Sequence, residues 1–384
     1  MAKLSKSSVQ NLSLLAIALI LGLLFSEILI RYLTPFPLGL TSRAVPHETL
    51  LYVLDPDRPE VDPLGFRNRE GPDNKPIFSI GDSHTFGHDV GFDQSWPMQL
   101  QKMLGLGVYN LGIAGYNIYQ YYGLFEVAKQ YNPKYVIIGL YATNDLGSDA
   151  CEVLRLDYWN DKISQWGLSK SYCDHEYIQR GARSRFTEFL KKNVALLNAF
   201  DHLIWDPILK YFKSIYLEKD TLDPFYLKMD NITFQVSKGR AKNESESSNL
   251  ENRRVIENFN NSKKIFQKIK DQAKQSEISL SVLIIPSKQR VLSNLFNKHR
   301  GEIPLLLNNL VKNEDILIGK YLKFFNEQSI PAIDATDHMI AVVEENMAVG
   351  VRTYPDDDSH PLAAGYTGYA KAALELFMAL RDHQ

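Results

Sequence analysis

The chain has 384 residues, of which 45% are hydrophobic and 23% charged, and its formal net charge at pH 7 is −2. This length is sufficient for one large domain or two smaller ones, each with a full core. Because the charges nearly balance, the composition argues against binding to nucleic acid or to an anionic membrane surface through bulk charge. The sequence therefore predicts a globular protein without a nucleic-acid partner.

An apolar segment near the amino terminus departs from this composition. Residues 12–30 are almost entirely Leu, Ile, Ala and Phe, and at about 1.5 Å per residue they span a hydrocarbon core of roughly 30 Å. A cleaved signal peptide is the competing interpretation, since Lys3 and Lys6 form a basic start, but no Ala-x-Ala cleavage pattern follows the run. We therefore expect residues 1–31 to form a transmembrane anchor.

The next segment, residues 32–75, is rich in proline and turn-forming residues. This composition predicts a stalk and lead-in that separate the anchor from the main domain, residues 76–384.

Within the main domain, strand-like apolar runs alternate with segments of helical periodicity. The predicted strands are the run that begins at Ile77, Val108–Leu111, Tyr135–Tyr141, Leu280–Pro286 and Ile330–Asp334. The predicted helices are Trp96–Leu104, Tyr119–Tyr131, Arg254–Gln275, Asn313–Gln328 and Ala363–Arg381. Because each connection has crossover length, the pattern predicts an α/β fold, a three-layer, flavodoxin-like, doubly wound five-stranded parallel sheet.

The alternation stops between about 146 and 250, which indicates a large insertion between the third and fourth strands. The insertion contains Trp159, Trp166 and Trp205, and a polar segment from Ser237 to Asn252 that predicts a flexible loop. Two roles stay open: a lid or substrate platform beside the sheet edge, or a peripheral segment that only packs.

The run that begins at Ile77 ends abruptly in Gly-Asp-Ser at 81–83. This pattern predicts a buried parallel strand that delivers Ser83 to the carboxyl edge of the sheet, where open α/β sheets bind ligands. A serine hydroxyl there is a nucleophile only if an oriented base takes its proton. The alternative is that Ser83 only caps the following helix.

The carboxyl-terminal part of the chain contains a candidate base. Asp357 lies three residues before His360, so one turn places a carboxylate on one ring nitrogen of His360 and Ser83 on the other. Because Asp356 and Asp358 are its direct neighbours, either of them could take the place of Asp357 as the acid. The same three carboxylates are also compatible with cation binding.

Two further segments follow predicted strands. Asn110–Gly115 and Gly139–Asp145 each end in residues suited to donating hydrogen bonds to an oxyanion. The sequence therefore predicts hydrogen-bond donors at the same sheet edge as Ser83.

Metal ligands are not predicted. His84 and His88 lie close to Ser83 in sequence, and we interpret them as surface or turn residues. Cys151 and Cys173 lack the flanking Cys-x-x-Cys or His spacing of a zinc site.

Taken in order, Gly-Asp-Ser at 81–83, Gly115, Asn144 and Asp357-x-x-His360 resemble the four sequence blocks of the SGNH (GDSL-type) hydrolases. The resemblance implies that Ser83 is the nucleophile, His360 the base and Asp357 the acid of a catalytic triad. It also implies an oxyanion hole made by the backbone N–H groups of Ser83 and Gly115 and the side-chain amide of Asn144. It implies no cofactor.

The segment Gly65-Phe66-Arg67 and the Asp-Asp-x-His-Pro region are similar to those of membrane-anchored SGNH proteins, including proteins that acetylate exported polysaccharides. The plain alternative for Arg67 is a structural turn in which it pairs with a surface carboxylate. The likeness implies a single-pass membrane protein with an extracytoplasmic catalytic domain, periplasmic or at the cell surface. In such a compartment Cys151 and Cys173 are expected to form a disulfide.

This branch also implies an acyl-ester substrate, a saccharide among its ligands and a multispanning acyltransferase partner. Three functions stay open from the sequence. They are an O-acetyl esterase, an O-acyltransferase acting on an exported polysaccharide or cell-envelope glycan, and a catalytically inactive carbohydrate-binding scaffold.

Overall fold

The computed structural model describes residues 14, 15, 17–26, 44–146, 150–171, 173, 224–229, 232–300, 303–356 and 358–382. Residues 17–26 are helical and, up to Phe25, their side chains are exposed. No helix among the described residues is both long and apolar enough to cross a membrane. Much of the predicted anchor, residues 1–31, lies outside the described residues.

The strands of the described residues follow one another along the chain with short segments and helices between them. They are β1 (Ala44–His47), β2 (Leu51–Leu54), β3 (Ile77–Gly81), β4 (Val108–Asn110), β5 (Tyr135–Tyr141), β6 (Phe225–Met229), β7 (Ile232–Val236), β8 (Ser279–Ile285) and β9 (Ala332–Asp334).

The helices are α1 (Ser83–Phe86), α2 (Trp96–Leu104), α3 (Ile118–Lys129), α4 (Ala150–Val153), α5 (Asp157–Gln165), α6 (Lys238–Ser248), α7 (Arg253–Gln275), α8 (Lys288–Arg300), α9 (Leu305–Glu327), α10 (Thr336–Ala348) and α11 (Ala363–Asp382). A 3-10 turn, Phe92–Gln94, precedes α2.

Five strands form one parallel sheet in the order β4-β3-β5-β8-β9. The predicted five-stranded parallel sheet is therefore confirmed. Its central strands β3, β5 and β8 are rich in Ile, Val and Leu and almost wholly buried, as expected where helices cover both faces. The chain leaves β3 towards β4 on one side and reaches β5 on the other, so the strand order reverses at β3, where such sheets bind ligands.

The insertion between β5 and β8 contains ordered elements that the sequence did not predict. An antiparallel β6–β7 hairpin leads into α6. The disulfide expected between Cys151 and Cys173 is present. Trp159 is buried, with its ring 5.6 Å from that of Tyr119, so it packs in the core. Trp205 lies outside the described residues.

The expectation of a flexible loop from Ser237 to Asn252 is wrong, because most of this segment is α6. The Ser237 side chain caps the helix by accepting the backbone N–H of Arg240. One side of α6 is buried against α9 through small residues, and Asn313 of α9 donates to both the carbonyl and the hydroxyl of Ser245. Packing against α9 therefore stabilises a helix in a segment whose polar composition does not by itself predict one.

The lead-in from residue 44 to residue 75 belongs to the same compact unit as the sheet. Asp62 is buried and accepts hydrogen bonds from the Tyr109 hydroxyl of β4 and from backbone N–H groups of its own turn. Arg67 pairs with Glu60 at 3.0 Å and donates to the backbone carbonyl of Gly87 at 2.9 Å. These contacts agree with the structural interpretation of Arg67 and fix the loop that follows α1.

Candidate active site

Strand β3 ends at Gly81, and Asp82 is the N-cap of the helix α1. Ser83 is the first residue of that helix. Oδ1 of Asp82 accepts the backbone N–H of His84 at 2.9 Å, which begins the helix. Gly81 permits this tight turn, because a Cβ there would lie 2.1 Å from Oγ1 of Thr85. The serine hydroxyl is therefore held at the carboxyl edge of the sheet, in a residue that is 9% exposed.

The structure brings Ser83 and His360 together. Oγ of Ser83 lies 2.7 Å from Nε2 of His360. On the other side of the ring, Nδ1 of His360 lies 2.5 Å from Oδ1 of Asp358, which also accepts the His360 backbone N–H at 2.7 Å. This is the arrangement of a hydroxyl, a base and an orienting carboxylate.

The carboxylate in contact with His360 is that of Asp358, whereas the sequence analysis assigned this role to Asp357. Asp357 lies outside the described residues. Asp358 suits the position because a carboxylate two residues before a histidine reaches both the backbone N–H and the ring of that histidine. The acid of the candidate triad is therefore Asp358.

Arg240 of α6 also holds this carboxylate. Its guanidinium lies 3.5 Å from Oδ2 of Asp358 and donates to the Ser359 hydroxyl at 2.8 Å. Burial alone raises the pKa of Asp358, but the hydrogen bonds from His360, the charge of that ring and the charge of Arg240 hold the pKa well below its usual value. Asp358 is thus ionised throughout the neutral range.

Lys288, at the start of α8, fixes the segment that carries these groups. It is 2% exposed, and its ammonium donates to the backbone carbonyls of Pro355, Asp356 and Asp358, the last at 3.0 Å. A buried ammonium is tolerated only when its hydrogen bonds are satisfied. The three carbonyls and the lysine therefore stabilise one another.

The three predicted oxyanion donors are not equally close to the cavity beside Ser83. Asn144 is exposed and lines that cavity together with Ser83 and His360. Gly115 is in the left-handed region at φ 82°, where a Cβ would lie 2.9 Å from the Tyr52 hydroxyl, and it is not one of the lining residues. Within the described part of the chain, no hydrogen bond uses the N–H of Ser83 or Gly115. The role of Gly115 stays a prediction.

The cavity has a volume of about 480 Å³, and much of its lining comes from the insertion. Arg240, Asn243, Glu244 and Ser247 of α6 face it together with Ser237. These residues were missed in the sequence analysis. The signal that could have identified them is their spacing of three, four and seven positions, which places them on one side of a helix.

His84, which the sequence analysis interpreted as a surface or turn residue, is buried. It is 1% exposed, with its ring 4.2 Å from that of Tyr141 and 4.5 Å from that of His360. Burial and the charge of His360 lower its pKa well below the usual value, so the ring is neutral at pH 7. Burial also raises the pKa of Asp82 to about 6, which leaves that carboxylate ionised at pH 7.

One group of described residues is close enough together to hold a metal ion: His88, Asp89 and His360. Both ring nitrogens of His360 already contact Ser83 and Asp358. A metal bound to His360 would have to displace either the serine hydroxyl or Asp358 from the ring, so this set is a poor fit to a resident metal.

No protein-family model and no curated protein sequence matches this chain. Among solved structures, a GDSL-like lipase from Bacteroides thetaiotaomicron VPI-5482 matches 81% of this chain and 90% of its own, at 13% identity and a TM-score of 0.35. The acetyl xylan esterase AlAXEase matches 78% of this chain and 98% of its own, at 11% identity and a TM-score of 0.36. At these identities and TM-scores, the likeness does not assign a function to this chain.

Replacing Asp358 by Asn should slow the reaction of Ser83 with a fluorophosphonate by roughly 10³-fold, because the neutral amide no longer stabilises the charged imidazole. Asp356→Asn is the matched control, since Asp356 pairs with the exposed Arg352, and it should react at the wild-type rate. Mass spectrometry of the labelled serine over time measures the rates. A large loss in Asp357→Asn with none in Asp358→Asn would contradict the assignment of the acid.

Proposed function

We propose that the chain is a serine ester hydrolase of the SGNH type, which cleaves O-acyl esters, in particular O-acetyl esters, through an acyl-serine intermediate. The observation that carries the proposal is the contact of Nε2 of His360 with Oγ of Ser83, at 2.7 Å, while Nδ1 contacts Asp358. Asp358 accepts a hydrogen bond from the Nδ1–H of His360, which keeps the proton of the neutral ring on Nδ1 and leaves the lone pair of Nε2 free to accept the serine proton.

In the proposed reaction, Oγ of Ser83 forms a bond to the ester carbonyl carbon as His360 takes its proton. The resulting tetrahedral intermediate expels the alcohol, to which His360 returns the proton. Water then attacks the acyl-serine by the same sequence of proton transfers. Transfer of the acyl group to an acceptor hydroxyl uses the same residues, with the acceptor in place of water.

The negative charge of the tetrahedral intermediate needs donors on the side of Ser83. We assign this role to the N–H of Ser83, the N–H of Gly115 and the side chain of Asn144. The position of Asn144 beside Ser83 in the cavity supports its part in this set. The left-handed backbone of Gly115 supports a glycine at that position, because a side chain there would meet Tyr52.

We also propose that the domain works in an oxidising, extracytoplasmic compartment. The disulfide between Cys151 and Cys173 supports this, since such bonds persist in secreted and periplasmic proteins. Acid quenching of native cells followed by thiol alkylation should leave both cysteines unmodified unless the sample is first reduced. Two alkylated cysteines without reduction would contradict the proposal.

A fluorophosphonate should label the purified wild-type protein at Ser83, because the adjacent imidazole activates the hydroxyl. Ser83→Ala should abolish labelling, and His360→Ala should reduce it by at least about 10³-fold. Gel fluorescence and peptide mapping provide the measurement, and circular dichroism checks that each variant is folded. If folded wild-type protein takes up no label, the hydrolase proposal is wrong. The chain would then be interpreted as a catalytically inactive binding scaffold of the same fold.

Asn144→Ala should lower kcat for hydrolysis of an acetyl ester by about 10²-fold or more with little change in KM, since an oxyanion donor acts mainly in the transition state. Asn144→Asp, of similar size but negatively charged, should lower kcat at least as much. Steady-state kinetics with p-nitrophenyl acetate measure both values. A rise in KM at constant kcat would instead assign Asn144 to ground-state binding.

A further inference from the structure

Helix α6 turns one polar face towards the cavity that contains Ser83 and His360. The residues of this face, which we call the α6 polar face, are Arg240, Asn243, Glu244 and Ser247. Their spacing of three, four and seven residues places them on one side of the helix. Exposed Lys242 and Glu246 of the same helix do not line the cavity.

Glu244 is the member of this face whose buried carboxyl group is not fully hydrogen-bonded by the described residues. It is 8% exposed, and the Tyr141 hydroxyl donates to its Oε1 at 3.1 Å. Its Oε2 has no hydrogen-bond partner among the described residues. A buried carboxyl oxygen without a partner destabilises a fold, so a ligand group that hydrogen-bonds to this carboxyl offsets the cost.

A ligand in the cavity can reach the carboxyl group by a small movement. Glu244 lines the cavity, and the terminal torsion of a glutamate is broad, so a partial rotation turns the carboxyl group towards a ligand without displacing the helix. Asn243 is exposed on the same face, and its amide both donates and accepts hydrogen bonds. With the Ser247 hydroxyl, this face offers several donors and acceptors to one ligand.

We propose that the α6 polar face is the subsite for the alcohol part of the ester, and that it selects alcohols with further hydroxyl groups, such as sugars and other polyols. This inference rests on the proposed ester hydrolysis at Ser83. An alcohol with hydroxyl groups replaces the water on these side chains, whereas an apolar alcohol leaves them without partners, and this difference produces selectivity. Arg240 contributes less to it, because it already holds Asp358 and Ser359.

The charge state of Glu244 supports this assignment. Burial and the charge of Glu314 on α9 raise its pKa to about 8, against the lowering effects of Arg240, Tyr141 and Lys288. Glu314 itself has a pKa raised to about 7, mainly by burial. The surrounding titratable groups are Arg240 on α6, Tyr141 on β5, Lys288 on α8, Glu314 on α9 and Tyr354 in the segment before Asp358. At neutral pH, Glu244 is thus mainly a neutral acid that can donate to a ligand hydroxyl.

The test compares two acetyl esters that differ in the alcohol, methyl 6-O-acetylglucoside and p-nitrophenyl acetate. Asn243→Ala, Ser247→Ala and Glu244→Gln should each lower kcat/KM for the sugar ester by about 3- to 10-fold, and change that for the aryl ester by less than about 2-fold. Glu246→Gln, on the exposed side of α6, is the matched control and should change neither. KM for the sugar ester should rise above about pH 8 in the wild type, as Glu244 loses its proton, and not in Glu244→Gln.

Equal losses on both esters, no loss on either, or a wild type inactive on the sugar ester but active on the aryl ester would overturn the inference. Fluorophosphonate labelling of Ser83 in each variant reports separately on the catalytic groups. If the fluorophosphonate does not label the wild-type protein and the protein hydrolyses neither ester, the proposed function is wrong, and this inference with it. If Glu244→Gln does not fold, the exposed Asn243 still decides the outcome.

Discussion

The buried ammonium of Lys288 is the constraint on which the rest of the site depends. Ser83 and His360 are 277 positions apart in the chain, and the segment before His360 has little regular structure of its own. Lys288 ties that segment to the carboxyl end of the sheet through three backbone carbonyls. Withdrawal of the segment would cost the buried ammonium these three hydrogen bonds, so the segment is held in place and the contact between base and hydroxyl is formed before any substrate arrives.

The sheet and the position of Ser83 could be predicted because their signals are local. Apolar runs of strand length, separated by connections of crossover length, leave few topologies open. The Gly-Asp-Ser turn at 81–83 likewise combines an abrupt end to a strand with a residue that starts a helix. The pairing of Ser83 with His360 was also predicted, because Asp357-x-x-His360 offers a base with an adjacent carboxylate and resembles the last sequence block of the SGNH hydrolases.

The remainder depends on contacts between distant segments. Three adjacent aspartates carry no local signal to distinguish Asp358 from Asp357, and the choice is made by the His360 backbone N–H and by Arg240 of another element. Helix α6 was missed because its buried side consists of small and polar residues, so apolar periodicity is absent. The burial of Trp159 could not be foreseen either, since it is created by α3 residues such as Tyr119.

Because α6 lies in the insertion, the reacting groups and the polar wall of the cavity come from different parts of the chain. The reacting groups come from the end of β3 and from the segment before α11, whereas the polar wall opposite them comes from the residues between β7 and α7. Exchange of that short segment would therefore alter the wall of the cavity without touching the sheet. Arg240 limits this freedom, because any replacement has to keep a cation beside Asp358.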